Sequence, residues 1–280
     1  KEKDLLKKVE YATILGTWQS TLTNFKYIPK KWKENCEEER LLGVSLTGIM
    51  DNKLTSNPDP KLLNKMRDYA REVNEKWADT LKIPKSASIS CIKPSGTVSQ
   101  LCDSASGIHS RHSDYYIRTV RGDNKDPITQ MMKDQGVPNE PDVMKADMTT
   151  VFSFPIKSPE NSIKRDDMSA LEQLEMWKVY QEHWCEHKPS VTISVKEDEW
   201  TSVGAWVYDN FDSVSGISFL PHSDHVYKQA PYQECTKEEH DALLEKMPQL
   251  EWKNLSSYEQ EDYTTSSQEL ACSGNSCEII

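Results

Sequence analysis

The chemistry-bearing residues of this chain gather in two places. One is the stretch Ser88–Arg121, where a β-type run breaks into Lys93-Pro94-Ser95-Gly96-Thr97 and then resumes as Val98, Leu101 and Cys102 at helical spacing. Pro94 fixes its own φ and has no N–H for a ladder, and Gly96 permits backbone that other residues resist. A strand, a small-residue turn and a helix start leave several N–H groups at one point, which suits an anion such as phosphate. On these residues alone a plain cap, with Ser95 or Thr97 closing the first helical turn, stands beside that reading. Downstream, Gly107-Ile108-His109-Ser110-Arg111-His112 is a polar loop that could meet a ligand or lie on the surface. Arg118 and Arg121 flank Thr119-Val120, where they could pair with acids or add charge near a phosphate.

The second place is the end of the chain, Cys272-Ser273-Gly274-Asn275-Ser276-Cys277-Glu278-Ile279-Ile280. Two thiols at this spacing can close a small disulfide ring. Half of a zinc site and two uninvolved thiols remain open as alternatives, although a second Cys/His pair at ligand spacing is missing. Cys36 sits beside Glu37-Glu38-Glu39, not the positive surroundings of an activated thiolate, and reads as structural. Cys91 and Cys102 read as packing thiols.

The elements that must position these groups follow from periodicity. A helix is expected over Lys1–Leu22, with Leu5, Leu6, Val9 and Ala12 on one face, and a second over Glu37–Met50. Asn57-Pro58-Asp59-Pro60 makes a turn and a helix start. It opens Lys61–Leu81, where Leu62, Met66, Tyr69, Val73, Trp77 and Leu81 form a core stripe. Thr150–Ile156 reads as a strand, and Ser169-Ala170-Leu171-Glu172 as a capping box before a helix bearing Leu174, Trp177, Tyr180 and Trp184. Val191–Val195 is a β-branched strand, Trp200–Phe211 a short helix and Ser213–Leu220 another strand. Thr236-Lys237-Glu238-Glu239 is a second capping box. Strands alternating with helices predict an α/β fold with parallel pairing. From Asn254 the composition turns polar, and a flexible tail is expected over 254–280.

Composition limits the function classes. The 280 residues carry a net charge of −11 and are 36% hydrophobic, with a mean hydropathy of −0.73. That acidic balance argues against a DNA or RNA surface. No apolar run approaches a membrane span, and the opening KEKDLLKKVE lacks the apolar core of a signal peptide. With seven cysteines, the reading is a cytoplasmic, reducing setting. The absence of a starting methionine predicts a fragment, or the product of a split or processed gene. No Gly-Lys-Ser/Thr loop of nucleoside triphosphatases occurs.

The order of short motifs carries a resemblance. Pro94-Ser95-Gly96-Thr97-Val98-Ser99-Gln100-Leu101, then Ser106-Gly107-Ile108-His109, then Tyr115-Tyr116-Ile117-Arg118-Thr119-Val120-Arg121 resemble the C-terminal portion of the adenosylcobalamin-dependent (class II) ribonucleotide reductases. Ala12–Thr17, Leu41–Ser45, Phe154–Lys157, Ser218–Pro221, Gln229-Ala230-Pro231 and the Cys272/Cys277 pair fall in the same order. The resemblance implies the second half of a ten-stranded α/β barrel over 1–253, followed by a redox tail over 254–280. It implies that Ser95, Gly96, Thr97, Val98 and Ser99 hold substrate phosphates and that the Gly107/His109 loop faces substrate or cofactor. It implies that Cys272 and Cys277 reduce an active-site disulfide by thiol–disulfide exchange and are reset by a thioredoxin- or glutaredoxin-like protein. As a coil, such a tail spans roughly 30 Å. No metal site is implied.

The implied reaction replaces the ribose 2'-hydroxyl of a ribonucleoside di- or triphosphate with hydrogen by thiyl-radical chemistry begun by adenosylcobalamin, in deoxyribonucleotide synthesis for DNA replication. The family's radical cysteine lies in an Asn-Pro-Cys-Gly-Glu motif that this chain lacks. The chain alone is therefore expected to be inactive and to need an N-terminal part. Two alternatives are a class I large-subunit fragment, disfavoured because Tyr115-Tyr116 comes too early for that family's tyrosine pair, and a non-catalytic half-barrel partner or remnant.

Overall fold

In the computed structural model, residues 1–96, 98–222 and 227–260 are described. In chain order they form α1 (Glu2–Gln19), α2 (Lys30–Glu39), β1 (Val44–Ser45), α3 (Lys53–Ser56), α4 (Pro60–Leu81), β2 (Ser90–Cys91) and α5 (Val98–Leu101). Next come β3 (Tyr115–Asp123), α6 (Pro127–Asp134), β4 (Asn139–Pro141) and β5 (Thr149–Lys157). Then follow α7 (Ala170–His183), β6 (Val191–Val195), α8 (Trp200–Asp209), β7 (Ile217–Pro221), β8 (Tyr232–Glu234), α9 (Lys237–Glu245) and α10 (Leu255–Tyr258). The α/β class expected from the alternating pattern is the class observed. The chain divides into two compact units, Lys1–Ser110 with Asp167–His222, and Arg111–Asp166 with Ser223–Ile280.

In the first unit the strands pair in parallel, β1 with β2 and β6 with β7. The Ser190 N–H donates to Ile92 O at 3.0 Å and joins the exit of β2 to the entry of β6. Helix α4 starts where Asp59 accepts the Lys61 N–H ahead of Pro60, and stops at Lys82 in a left-handed conformation. Its buried face is Leu63, Met66, Ala70, Val73, Asn74 and Ala78. Met66 and Val73 of the expected stripe are buried in it, whereas Leu62, Tyr69 and Trp77 are only partly buried beside Leu63, Ala70 and Ala78, and Leu81 stays exposed. Helix α7 carries the predicted capping box, with the Glu172 N–H donating to Ser169 Oγ and the Ser169 N–H to the Glu172 carboxylate. It buries Trp177, Tyr180 and, just past its end, Trp184. Each of these aromatics also satisfies its polar atom. Tyr180 Oη donates to Thr55 O (2.7 Å), Trp184 Nε1 to Cys91 O (2.9 Å) and Trp177 Nε1 to Pro189 O (3.2 Å).

The expected helix Glu37–Met50 does not form. Arg40 takes φ +47 and ends α2, and its guanidinium reaches two backbone carbonyls, Nη1 to Ser20 O (2.6 Å) and Nε to Glu37 O (3.0 Å). The following residues run alongside β2, with the Leu42 N–H on Ser88 O and the Val44 N–H on Ile89 O. Pairing with a buried neighbour outweighs the helical spacing of Leu41, Leu42 and Leu46. The strand expected over Ser213–Leu220 starts later, at Ile217. Gly216 (φ +63) makes the turn before it, where an added Cβ would sit 2.8 Å from Pro189 O.

The second unit is a four-stranded sheet in the order β4-β5-β3-β8, antiparallel throughout. This corrects the expectation of parallel pairing for Thr150–Ile156. Tyr115 pairs with Lys157 and Asp123 with Thr149, because the eight-residue α6 and short β4 return the chain at the near end of β3. Thr236 opens α9 with the second predicted capping box. Tyr258 Oη of α10 donates to Asp134 Oδ2 at 3.0 Å, against α6.

Candidate functional site

The turn after β2 belongs to the first unit and is held from beneath by two neighbouring turns. The Lys93 N–H donates to Ser45 Oγ (3.0 Å), and its ammonium to Lys188 O (2.8 Å). The Ser95 N–H donates to Ser106 Oγ at 2.8 Å. Ser95 Oγ in turn accepts the Ser99 N–H (2.8 Å), while Ser99 Oγ donates to Ser95 O (2.7 Å). So Ser95 caps the short helix α5, and the N–H groups of Ser95 and Ser99 already have protein partners. Gly96 is buried, and Ser99 is buried, whereas Val98 and Leu101 point outward at 58% and 87% exposure. Thr97 lies outside the described residues.

Ser106 is the hub of this arrangement. Its hydroxyl accepts from Ser95 and its carbonyl accepts from His109 Nδ1 at 3.0 Å. The other ring nitrogen of His109, Nε2, accepts the Thr192 N–H of β6 at 3.0 Å. Because the Ser106 carbonyl can only accept and the Thr192 amide can only donate, the imidazole is the neutral Nδ1–H tautomer. Burial pushes its pKa below the ordinary histidine value, against a smaller opposing pull from the Ser106 carbonyl. Beside it is a cavity of about 30 Å³ among Met50, Ile108, Met168, Gln173 and Val191.

Gly107 has φ +55, and a Cβ there would lie 2.9 Å from Lys93 O. A glycine is required for the two loops to touch backbone to backbone. The Gly107 N–H donates to Thr47 Oγ1 (3.0 Å), the Ala105 N–H to Asp51 Oδ2 (2.7 Å) and the Gly48 N–H to Ala105 O (2.8 Å). Thr47 and Asp51 were not singled out by the sequence, and Ser106 only as the first residue of the Ser106–His109 motif. They sit in aperiodic turns, and what makes them matter is a spatial neighbour more than fifty residues away for Thr47 and Asp51.

The remaining candidates distribute differently. Arg121 pairs with Asp142 at 2.8 Å in the second unit. Burial raises the Asp142 pKa, but the Met144 and Lys145 N–H groups and the Arg121 guanidinium outweigh it and hold the carboxyl below its usual range. Arg118 lies over the Tyr232 ring, 4.7 Å from its centroid, and donates to Pro231 O at 3.2 Å. Cys91 is buried as expected and Cys185 is partly buried, and burial pushes both thiol pKa values up. Cys102 is exposed, contrary to its reading as a packing thiol, because α5 ends at Leu101 and turns it outward. Cys272 and Cys277 lie outside the described residues. Among the described residues there is no group of three or more His, Cys, Asp or Glu placed to hold a metal ion, and no helix long and apolar enough to cross a membrane.

No protein-family model matches the chain. Among curated proteins it is 28% identical over 297 residues to a probable adenosylcobalamin-dependent ribonucleoside-triphosphate reductase of Dictyostelium discoideum, across 99% of this chain and 36% of that protein. It is 27% identical over 249 residues to the adenosylcobalamin-dependent ribonucleoside-triphosphate reductase of Euglena gracilis, across 86% of this chain and 33% of that protein. For the Lactobacillus leichmannii enzyme of the same name the identity is 24% over 249 residues. The chain spans about a third of the length of these relatives. Among solved structures it matches a B12-dependent (class II) ribonucleotide reductase with a TM-score of 0.73 and 21% identity, covering 89% of this chain and 39% of that one. The chain is thus similar over nearly all its length to part of the adenosylcobalamin-dependent reductases, and it shares their fold over that part.

Proposed function

We propose that this chain is the part of an adenosylcobalamin-dependent ribonucleotide reductase that holds the substrate's phosphates and delivers reducing equivalents. The observation that supports the reading is the similarity across 99% of the chain to a relative so named. In this reading residues 1–253 are the second half of a ten-stranded α/β barrel, to which the two parallel pairs of the first unit belong. The turn Ser95, Gly96, Thr97, Val98 and Ser99 receives the phosphates of a ribonucleoside di- or triphosphate. Since Ser95 and Ser99 brace each other, the anion is met by the Gly96–Val98 backbone between them. Gly107 and His109 lie on the substrate side, beneath that turn. Residues 254–280 present Cys272 and Cys277, whose thiolate attacks an active-site disulfide through a mixed disulfide. A thioredoxin- or glutaredoxin-like dithiol resets the pair.

Both ring nitrogens of His109 are engaged by backbone groups, so residues other than this imidazole would hold adenosylcobalamin, which would supply the start of the radical chemistry. No step of the radical chemistry is assigned to this chain, whose sequence lacks the Asn-Pro-Cys-Gly-Glu motif. A separate polypeptide or an N-terminal extension carrying that motif completes the enzyme, in the cytoplasm.

Reconstitution tests the reading. The chain is combined with an N-terminal polypeptide bearing that motif, adenosylcobalamin, a ribonucleotide and either dithiothreitol or thioredoxin. Deoxyribonucleotide is expected with both reductants, and with dithiothreitol alone for the double variant Cys272→Ser/Cys277→Ser. An associated, folded pair that makes no product with either reductant would replace this reading by a non-catalytic partner.

A further inference from the structure

The second residue in the path from the phosphate turn to the sheet is a histidine with no free ring nitrogen. Its two bonds run in opposite directions: Nδ1 donates to Ser106 O, and Nε2 accepts from Thr192 in the middle of the parallel strand pair. Ser106 passes the connection on, its hydroxyl accepting the Ser95 N–H at 2.8 Å. Thr192 pairs with Ser218 of β7 and neighbours buried Val191 and Ile193, so its amide is anchored in the core. We propose that His109 is a positioning residue for substrate binding. Fixed as the Nδ1–H tautomer, its imidazole ties the Lys93–Ser99 turn, through Ser106, to strand β6.

This inference rests on the reading of that turn as the phosphate loop, and assigns His109 a role through the loop rather than on the substrate. A neutral imidazole has one donor and one acceptor, which match a carbonyl and an amide as no other neutral side chain of this size and rigidity does. Protonating Nε2 would set N–H against N–H at Thr192, and burial already opposes the charged form. Gly107, which lets the turn pack on Lys93 O, and Thr47 and Asp51, which hold residues 105 and 107, keep the carbonyl of Ser106 in place for the imidazole. Their bonds bracket the hub on both sides. The consequence is that Ser95, where the turn begins, is held in place before an anion arrives.

Nuclear magnetic resonance on the whole 280-residue chain tests it. Imidazole ¹⁵N–¹H correlation is expected to show His109 as the Nδ1–H tautomer, with the assignment made by loss of the signal in His109→Gln. Amide exchange in His109→Ala is expected to quicken at Ser95 and at Thr192 by about fivefold each, the equivalent of one hydrogen bond, while α4 and α7 amides hold. His109→Gln, whose carbonyl can accept at the Nε2 position, is expected to restore Thr192. Ser106→Ala, which removes only a hydroxyl, is expected to quicken Ser95 without affecting Thr192. An Nε2–H or charged imidazole in the parent chain would overturn the proposal even if His109→Ala fails to fold. So would unchanged exchange at Ser95 in both His109→Ala and Ser106→Ala. Inorganic pyrophosphate is titrated in parallel: shifts at Gly96 and Val98, weakened about fivefold in Ser106→Ala, support the role in binding. Absence of those shifts in a parent chain with the expected tautomer and exchange would overturn the phosphate reading alone.

Discussion

Glu186 Oε1 lies 2.7 Å from Arg71 Nε, while Oε2 of the same carboxylate accepts the Ile89 N–H at 2.9 Å. One side chain therefore joins helix α4 to the start of β2, just upstream of the turn at Lys93–Gly96. Its side chain is 13% exposed. Replacing it with alanine leaves a backbone donor and a guanidinium without their acceptor, and is expected to cost about 2 kcal/mol in urea unfolding. Burial raises the Glu186 pKa, but Arg71 and the Ile89 and Ser90 N–H groups outweigh it and hold it below the ordinary value. A lowered folded pKa contributes stability that is complete above the unfolded value near 4.5 and is lost as pH falls through the folded one. The acid limb of the stability curve should be shallower in Glu186→Gln than in the parent, and parallel limbs would count against the assignment.

Gly107→Ala is expected to weaken the loop rather than the core. The residue must hold φ +55 with a methyl 2.9 Å from Lys93 O. The strain is about 1–3 kcal/mol. Calorimetry should show a lowered Tm, and amide exchange should show the largest change between residues 93 and 107.

Trp184→Phe removes one indole N–H and leaves Cys91 O, 2.9 Å away in the parent, with only the longer bond from the Leu46 N–H at 3.4 Å. The expected loss is about 1–3 kcal/mol, against about 3–5 kcal/mol for Trp184→Ala, which adds a cavity. Denaturant midpoints for the pair measure the two contributions separately. Equal losses would mean that the added cavity contributes little beyond the lost hydrogen bond.

Thiol labelling should sort the five described cysteines by position. Cys102 is exposed, while Cys91 and Cys185 are held in low-reactivity surroundings by burial. Brief iodoacetamide treatment followed by peptide mass spectrometry should find Cys102 modified first, and Cys91 and Cys185 only after denaturation. Early labelling of Cys91 would contradict its packing against β1.

Much of this was legible beforehand because it depends on neighbours in the chain. The capping boxes at Ser169 and Thr236, the Asp59-Pro60 helix start and the β-branched run Val191–Val195 are local signals, and they formed where expected. The end of β2 ahead of Pro94 was visible for the same reason. What escaped depends on partners far along the chain. Leu41–Leu46 has helical spacing, yet it runs beside Ser88–Cys91, with Val44–Ser45 as strand. Asn74 is buried because it bonds both Thr17 and Ser86. The two partners of the His109 ring, the Ser106 carbonyl and the Thr192 amide, have no sequence signal, because Thr192 lies on a distant strand.

Arg40, at the end of α2, bonds carbonyls from the last turns of two helices, Ser20 after α1 and Glu37 within α2. Helix C-termini carry partial negative charge, so a single guanidinium answers two macrodipoles at once. Its planar fork can do this, whereas a lysine ammonium on a flexible stem could not hold both directions together. The chain keeps arginine at φ +47, where glycine would be less strained. The electrostatic clasp between α1 and α2 is thus maintained against the backbone preference at that position. The two helices gain a shared anchor whose loss would uncouple both ends together.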